Sequence, residues 1–318
     1  LAGFRHPDLL VLPMIAPPGS LSAAHELPSE IAAIANRRLG HLCVLPAVAT
    51  RALEIAKDPD SSIAVFASVV EQDIVLAADI LRVANSAVYG FRSQVTDLHQ
   101  AVFRVGFRQC KNLILASCMT GMLRQVSVNE EWIRELLWRH GITTAVAAVH
   151  LNRVFDFGFF GEEFTAGLIH DLGRILMASI LPDQFLAADP LDFVELQTSE
   201  DEHPLAAETT IIGTTHVCLG AWYLAKIGLP SELIDVVRYH HQPCQAVQHP
   251  NLVALIAAAD HMANFLQRES PLVEYDPHDN FGIRQLAEGT RESIVEDFGN
   301  MAPVLLEQIS GDSREICL

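Results

Sequence analysis

The stretch Glu131-Trp132-Ile133-Arg134-Glu135-Leu136-Leu137-Trp138-Arg139-His140-Gly141-Ile142-Thr143-Thr144 decides how the chain is read. Trp132, Leu136, His140 and Thr144 recur every four residues, the interval that stacks side chains along one helix face. The spacing predicts an α-helix with His140 pointing inward from the same row as a tryptophan and a leucine.

The helical period continues on both sides of it. Upstream, Leu45-Pro46 reads as a helix start, with Val48, Leu53 and Ile55 following before the turn at Asp58-Pro59-Asp60-Ser61. Ser61 or Ser62 is placed to cap the next helix, and Asp73 a longer one with Leu76, Ile80, Val83 and Ala84 on its face and Gly90 to end it. Gly106 separates the segment around Val102 from a helix carrying Leu113, Ile114 and Cys118. Downstream, Leu168, Leu172, Ile175 and Leu176 mark a core side with His170-Asp171 at or beside it, and Gly167 and Gly173 allow neighbouring backbones to approach closely. His216, Gly220 and Leu224 align; Leu233, Ile234 and Val237 lead to His240-His241 before Pro243; Val253, Ile256 and Asp260 share a stripe. No period-two run of useful length intervenes, so the expected fold is all-α, a multi-helix bundle.

Composition narrows the function classes. Half of the 318 residues are apolar, enough for a sizeable core. The formal charge of −18 makes the average surface repel phosphate backbones and anionic lipid, which argues against nucleic acid and membrane as partners. The basic trio Arg104, Arg108 and Lys111 around Gly106 is too small to reverse that balance. Leu9 to Ala16, the nearest thing to a spanning or signal segment, is interrupted by Pro13 and followed by Pro17 and Pro18. The six cysteines contain no CxxC pair, and are expected as reduced, mostly buried thiols of a cytoplasmic protein. Residues 1–26 read as a Pro-rich arm or linker and 267–318 as an acidic helical extension. The chain begins with Leu1 rather than Met, leaving room for an upstream segment.

His140, His170-Asp171, His216, His240-His241 and Asp260 lie in this order on separate helical segments. Each alone has an ordinary explanation as a hydrogen-bonded core group or a polar helix end. Together they form a set of imidazoles and carboxylates of the kind that holds one or two metal ions inside a helical bundle. A carboxylate on an apolar stripe, as at Asp260, must protonate, pair or meet a cation.

This order resembles the HD superfamily of metal-dependent phosphohydrolases, in particular its HD-GYP branch. The Leu45-Pro46-Ala47-Val48 segment, Glu71-Gln72-Asp73, the run from Leu81 to Gly90 through Asn85-Ser86-Ala87, and Ala101 to Gly106 resemble the HD-related output domain, HDOD. So do Gly167-Leu168-Ile169-His170-Asp171-Leu172-Gly173-Arg174 and Leu229-Pro230 leading to Tyr239-His240-His241. The resemblance spans about residues 27–266, divided into an N-terminal helical half to residue 125 and an HD-like half from 126. It implies a bacterial signalling or regulatory domain whose partners are signalling proteins or an upstream sensory module. Carried over from the HD-GYP pattern, His140, His170, Asp171 and Asp260 would hold one metal, and Asp171, His216, His240 and His241 a second, with Asp171 as bridge. Such donors suit Fe, Mn, Zn or Ni.

Three readings follow. One is a regulatory module that keeps the metal site. Another is a phosphohydrolase acting on a nucleotide or cyclic dinucleotide, with Asp171 and Arg174 in the catalytic roles. The third is a metal-free scaffold using Arg82, Asn85, Ser86 and Tyr89 as a partner-facing surface. Against hydrolysis stands Gln242 to Gln248, which has no GYP-like segment and no basic residue to grip a phosphate-containing ligand; Arg238 and Lys226 are the other nearby cations.

Overall fold

A computed structural model of the protein describes residues 27–40, 42, 46–57, 61–86, 93–189, 191, 205–289 and 294–317. The expectations for residues 1–26, Leu45, Asp58 to Asp60, Tyr89 and Gly90 lie outside them. Every described element is helical. In chain order they are α1 (Ser29–Leu39), α2 (Ala47–Lys57), α3 (Ile63–Val70), α4 (Ile74–Ala84), α5 (Leu98–Val105), α6 (Phe107–Gln125), α7 (Glu131–Phe155) and α8 (Glu162–Ile169). There follow α9 (Leu172–Ile180), α10 (Pro182–Ala188), α11 (Ala206–Ile212), α12 (His216–Lys226), α13 (Ser231–Tyr239), α14 (Pro250–Gln267), α15 (Phe281–Gly289) and α16 (Ile294–Cys317). None of them is long and apolar enough to cross a membrane.

Local chemistry sets the boundaries in the first half. Ser62 caps α3 by accepting from the Ala64 amide, and Asp73 caps α4 by accepting from those of Val75 and Leu76, as the sequence predicts. Helix α4 runs to Ala84, with Asn85 as its C-cap. The Asn85 amide donates to the Leu81 and Val95 carbonyls and accepts from the Val95 N–H, pinning the returning chain. Gly106 supplies the positive φ of 90° that separates α5 from α6.

The second half is wound around α7 and α14. The buried row of α7 is Ile133, Leu137, His140 and Thr144, whereas Trp132 is 49% exposed. A row spaced by four drifts by roughly 40° per step, so the expected stripe leaves the core within three steps. Gly167 lies where a Cβ would strike the Ala145 backbone, and Gly173 where one would strike the His216 carbonyl. These contacts bring α8 onto α7 and α9 onto α12, the approaches that carry His170 and Asp171 toward their partners. Beyond Gln267 the acidic helices pack on the core. Ile283, Leu286, Phe298, Leu305, Leu306 and Ile309 are buried, and the Asn280 amide donates to the Ala258 carbonyl of α14.

Cys110 and Cys118 are buried, while Cys218 is half-buried and Cys244 exposed, so the expectation of mostly buried thiols holds for two of these four.

Candidate metal centre

The seven residues picked out by their order meet at the middle of the second half. His140 comes from the centre of α7; His170 ends α8 and Asp171 opens α9; His216 is the first residue of α12. His240 ends α13, His241 follows it, and Asp260 lies within α14. His140, His170, His216, His240 and Asp260 are all buried, and the Asp171 and His241 side chains are only slightly more open.

Two groups of donors form. In the first, His140 Nε2 lies 2.9 Å from Asp260 Oδ1 and 3.3 Å from His170 Nε2. The ligand atoms of this trio fall within 4.8 Å of one another, as do those of Asp171, His216, His240 and His241 in the second group. Asp171 faces both. Its Oδ2 is 3.7 Å from His140 Nε2 and 3.6 Å from His170 Nε2, while its Oδ1 is 3.3 Å from His216 Nε2 and 3.5 Å from His240 Nε2. One oxygen per group is the disposition of a bridging carboxylate.

The far side of each ring fixes which nitrogen can bind an ion. His170 Nδ1 lies 2.8 Å from the Gly167 carbonyl and His240 Nδ1 3.1 Å from the Val236 carbonyl; a carbonyl only accepts, so these nitrogens carry protons. His140 Nδ1 meets Gln267 Oε1 at 2.9 Å, and His216 Nδ1 meets Glu208 Oε1 at 2.8 Å. With Nδ1–H committed outward, the Nε2 atom of each neutral ring turns a lone pair toward the centre. His140 and His170 then oppose Nε2 atoms at 3.3 Å, lone pair against lone pair, which is repulsive unless a proton or a cation stands between. His241 Nε2 lies 3.2 Å from His216 Nε2. Fully buried His240 Nε2 makes no hydrogen bond.

Electrostatics show what a cation displaces. Burial raises the Asp171 and Asp260 carboxyls, but the imidazoles around them, with Arg174 beside Asp171, outweigh it and hold both well below the usual range. Burial lowers His216, yet Glu208 and Asp171 outweigh it and push the imidazole up to about 10. His170 is raised in the same way by Asp171 and Asp260 against its burial. His240 and His241 are lowered, by burial first and then by neighbouring imidazoles. Without an ion, protons on imidazole neutralise the carboxylates; a divalent ion competes for those same nitrogens.

Three supporting residues were not singled out in the sequence. Glu208 grips both the Nδ1 and the backbone N–H of His216; Gln267 orients His140 and donates to the Leu136 carbonyl; Asn264 donates to Asp260 Oδ1. Asn264 and Gln267 follow Asp260 by four and seven on one helix face, a signal that was present. Glu208 precedes His216 across a turn and carries no such signal. Arg174 is not a surface group. Its guanidinium donates twice to Asp189, at 2.7 and 2.8 Å, and once to Asp171 Oδ2 at 3.0 Å.

An all-helical domain with a buried histidine–aspartate centre is the class that fold and site define. Within it, the chain belongs to the HDOD domain family, whose model matches residues 42–243. That match ends short of Asp260, which belongs to the expected reach of residues 27–266. An uncharacterized protein of Treponema pallidum (strain Nichols) is 28% identical over 232 residues, which are 71% of this chain and 44% of that protein. The chain thus spans less than half the length of this curated relative. Among solved structures, an HDOD domain protein of unknown function from Geobacter sulfurreducens aligns with a TM-score of 0.65 at 22% identity, covering 87% of this chain and 96% of its own. A Shewanella amazonensis SB2B protein provisionally called a phosphohydrolase aligns at 0.63 and 21%, covering 87% and 97%. A Marinobacter aquaeolei VT8 protein provisionally called a signal transduction protein aligns at 0.63 and 20%, covering 91% and 65%. At these identities the likeness is one of fold.

Proposed function

We propose that the chain is a cytoplasmic signal-transduction domain of the HDOD family that holds one or two divalent transition-metal ions in its histidine–aspartate centre and works as a regulatory binding module. The observation that carries this reading is the set of four outward Nδ1 contacts, which leaves Nε2 atoms and two carboxylates converging on a largely buried interior. Imidazole with carboxylate suits Fe, Mn, Zn or Ni and disfavours the all-oxygen ions Mg and Ca. The residues present fit such an ion: His140, His170, Asp171 and Asp260 on one side, and Asp171, His216, His240 and His241 on the other.

A bound ion would supply Lewis acidity and a more acidic water. The protein's own groups define the rest. Asp171 links the two sides, Glu208 and Gln267 hold their imidazoles in the binding tautomer, and Arg174 with Asp189 fixes the second oxygen of Asp171. In this role Arg174 positions Asp171, because its guanidinium is engaged by two carboxylates. With Arg174 engaged in this way, it is not free to grip a transferring phosphoryl group, which weighs against the phosphohydrolase alternative. The provisional names of the Shewanella and Marinobacter proteins suit one reading each, and signalling partners or an upstream sensory module are the expected company.

The test has two parts. Protein purified without chelator should contain at least about one transition-metal ion per chain, by elemental analysis. Cleavage of generic phosphodiesters and cyclic dinucleotides with added Mn or Fe should not exceed that of Asp171→Ala; a rate clearly above the variant would make the protein an enzyme.

A further inference from the structure

A cleft of about 380 Å³ opens beside the centre, between the end of α6, the start of α7 and the α8–α9 segment. Of the seven centre residues, Asp171 alone lines it. Its walls are apolar: Leu137 and Trp138 from α7, Leu168 from α8, Leu172 and Ile175 from α9, with Leu123 closing the α6 side. The volume falls in the range of small-molecule sites, and mostly apolar walls around one polar group are their usual make-up.

Charge on the rim selects among ligands. Arg134 lines the cleft but is spent, donating to the carbonyls of Leu123, Arg124 and Val126 and pairing with Glu131 at 2.9 Å. Exposed Arg124 shares the rim with exposed Glu131 and Glu135. A polyanion such as a cyclic dinucleotide meets no cluster of cations there, and its sugar–phosphate ring gains nothing from leucine and isoleucine walls.

Resting on the metal-centre reading, we infer that this cleft binds a small amphiphile: an apolar body against Leu137, Leu168, Leu172 and Ile175, and one anionic oxygen head directed to the Asp171 side of the centre. The head is anionic because the ion sets the local sign. Without an ion, Asp171 is already paired with Arg174 at 3.0 Å and offers an oxyanion no attraction, whereas a divalent ion held by Asp171 would add net positive charge there and favour the oxyanion. Ligand and metal are then coupled, each raising the other's affinity by the same factor. The α6 wall, Leu123 and Arg124, comes from the N-terminal half, so the ligand would touch both halves of the domain.

Titration calorimetry with octanoate, octylamine and a cyclic dinucleotide, on metal-loaded and chelator-treated protein of known metal content, tests this. Octanoate is expected to bind the loaded protein about tenfold or more tighter than the stripped protein. Ile175→Trp, which fills the cleft, should abolish octanoate binding while leaving metal content unchanged. Glu135→Lys, an exposed change that leaves the core alone, should strengthen it. Octylamine binding as well as octanoate with metal present, tighter binding of the dinucleotide, or no octanoate binding to metal-loaded protein would overturn the inference and leave the metal centre standing. Absence of metal from the native protein would remove the centre itself, and elemental analysis of the same sample tells the two failures apart.

Discussion

The two halves of the domain bury polar groups in opposite ways. In the N-terminal half each such group finds a partner made of protein. Buried Asn112 donates to the Phe160 carbonyl at 3.0 Å and buried Thr120 to the Ala116 carbonyl at 2.8 Å, while nearer the surface Asn85 clasps both backbone groups of Val95. In the second half, four imidazoles are held from outside through Nδ1 and turn Nε2 inward. The inner sides leave imidazole nitrogens facing each other at 3.2 and 3.3 Å. A core closed by its own hydrogen bonds needs nothing further, whereas one whose inner nitrogens face each other offers the donor set of the ion proposed above. The difference also speaks to the scaffold reading: Asn85 and Ser86, once candidates for a partner-facing surface, are occupied in holding their own chain.

The largest effect that separates the halves is expected from Asp171→Ala. It removes the carboxylate shared by both groups of donors, so metal content should fall to background with the helical circular dichroism retained. Asp260→Ala sharpens the result: metal content should drop by about half if two ions are bound, and to background if one ion depends on this group. A variant that keeps full metal content would erase the contrast between the halves.

Next in size is Glu208→Gln. The amide still fills the space but no longer offers two acceptor oxygens to His216, so metal affinity should weaken by about 10- to 100-fold, read by competition with a chromogenic chelator. An unchanged affinity would mean that His216 needs no carboxylate behind it.

A smaller effect is expected from pH. In the ion-free state His216 sits near about 10, raised above its ordinary value, so at neutral pH it holds a proton that a metal ion must expel. The folded ion-free state is therefore favoured by protonation, and metal binding by deprotonation. Affinity should rise from pH 6 to pH 8 with release of protons, visible as a buffer-dependent calorimetric heat. A heat independent of the buffer would show that the imidazoles are already neutral.

The smallest change belongs to the first half. Asn85→Ala removes the clasp on Val95 and should cost about 1 kcal/mol of stability in denaturant unfolding, with metal content untouched. A loss of metal in this variant would show that the halves are not separable in this way.

How much of this was legible in the sequence follows from the range of each interaction. Caps such as Ser62 and Asp73 act within three residues of themselves, and the helical period repeats within four, so both were readable along the chain. The centre was readable through residue type and order, since buried imidazoles and carboxylates on separate helices have few other uses. Two of its supports were not. Glu208 and Asp189 reach their partners through turns whose direction depends on how α9, α11 and α12 pack, and no local pattern encodes that. Arg174 illustrates the same limit: its position beside Asp171 was visible, but its engagement by Asp189 changes it from a candidate for gripping substrate into a brace. The row through Trp132 misled because a spacing of four was followed past the point where the helix turns it away from the core.

The claim that the second half is completed by an ion is tested most directly by an anomalous-scattering map of crystals grown from chelator-free protein. The account predicts one or two transition-metal peaks on the inner side of Asp171, with imidazole Nε2 atoms about 2.0–2.2 Å away. An interior without a peak, with the same rings hydrogen-bonded as imidazolium to Asp171 and Asp260, would contradict it.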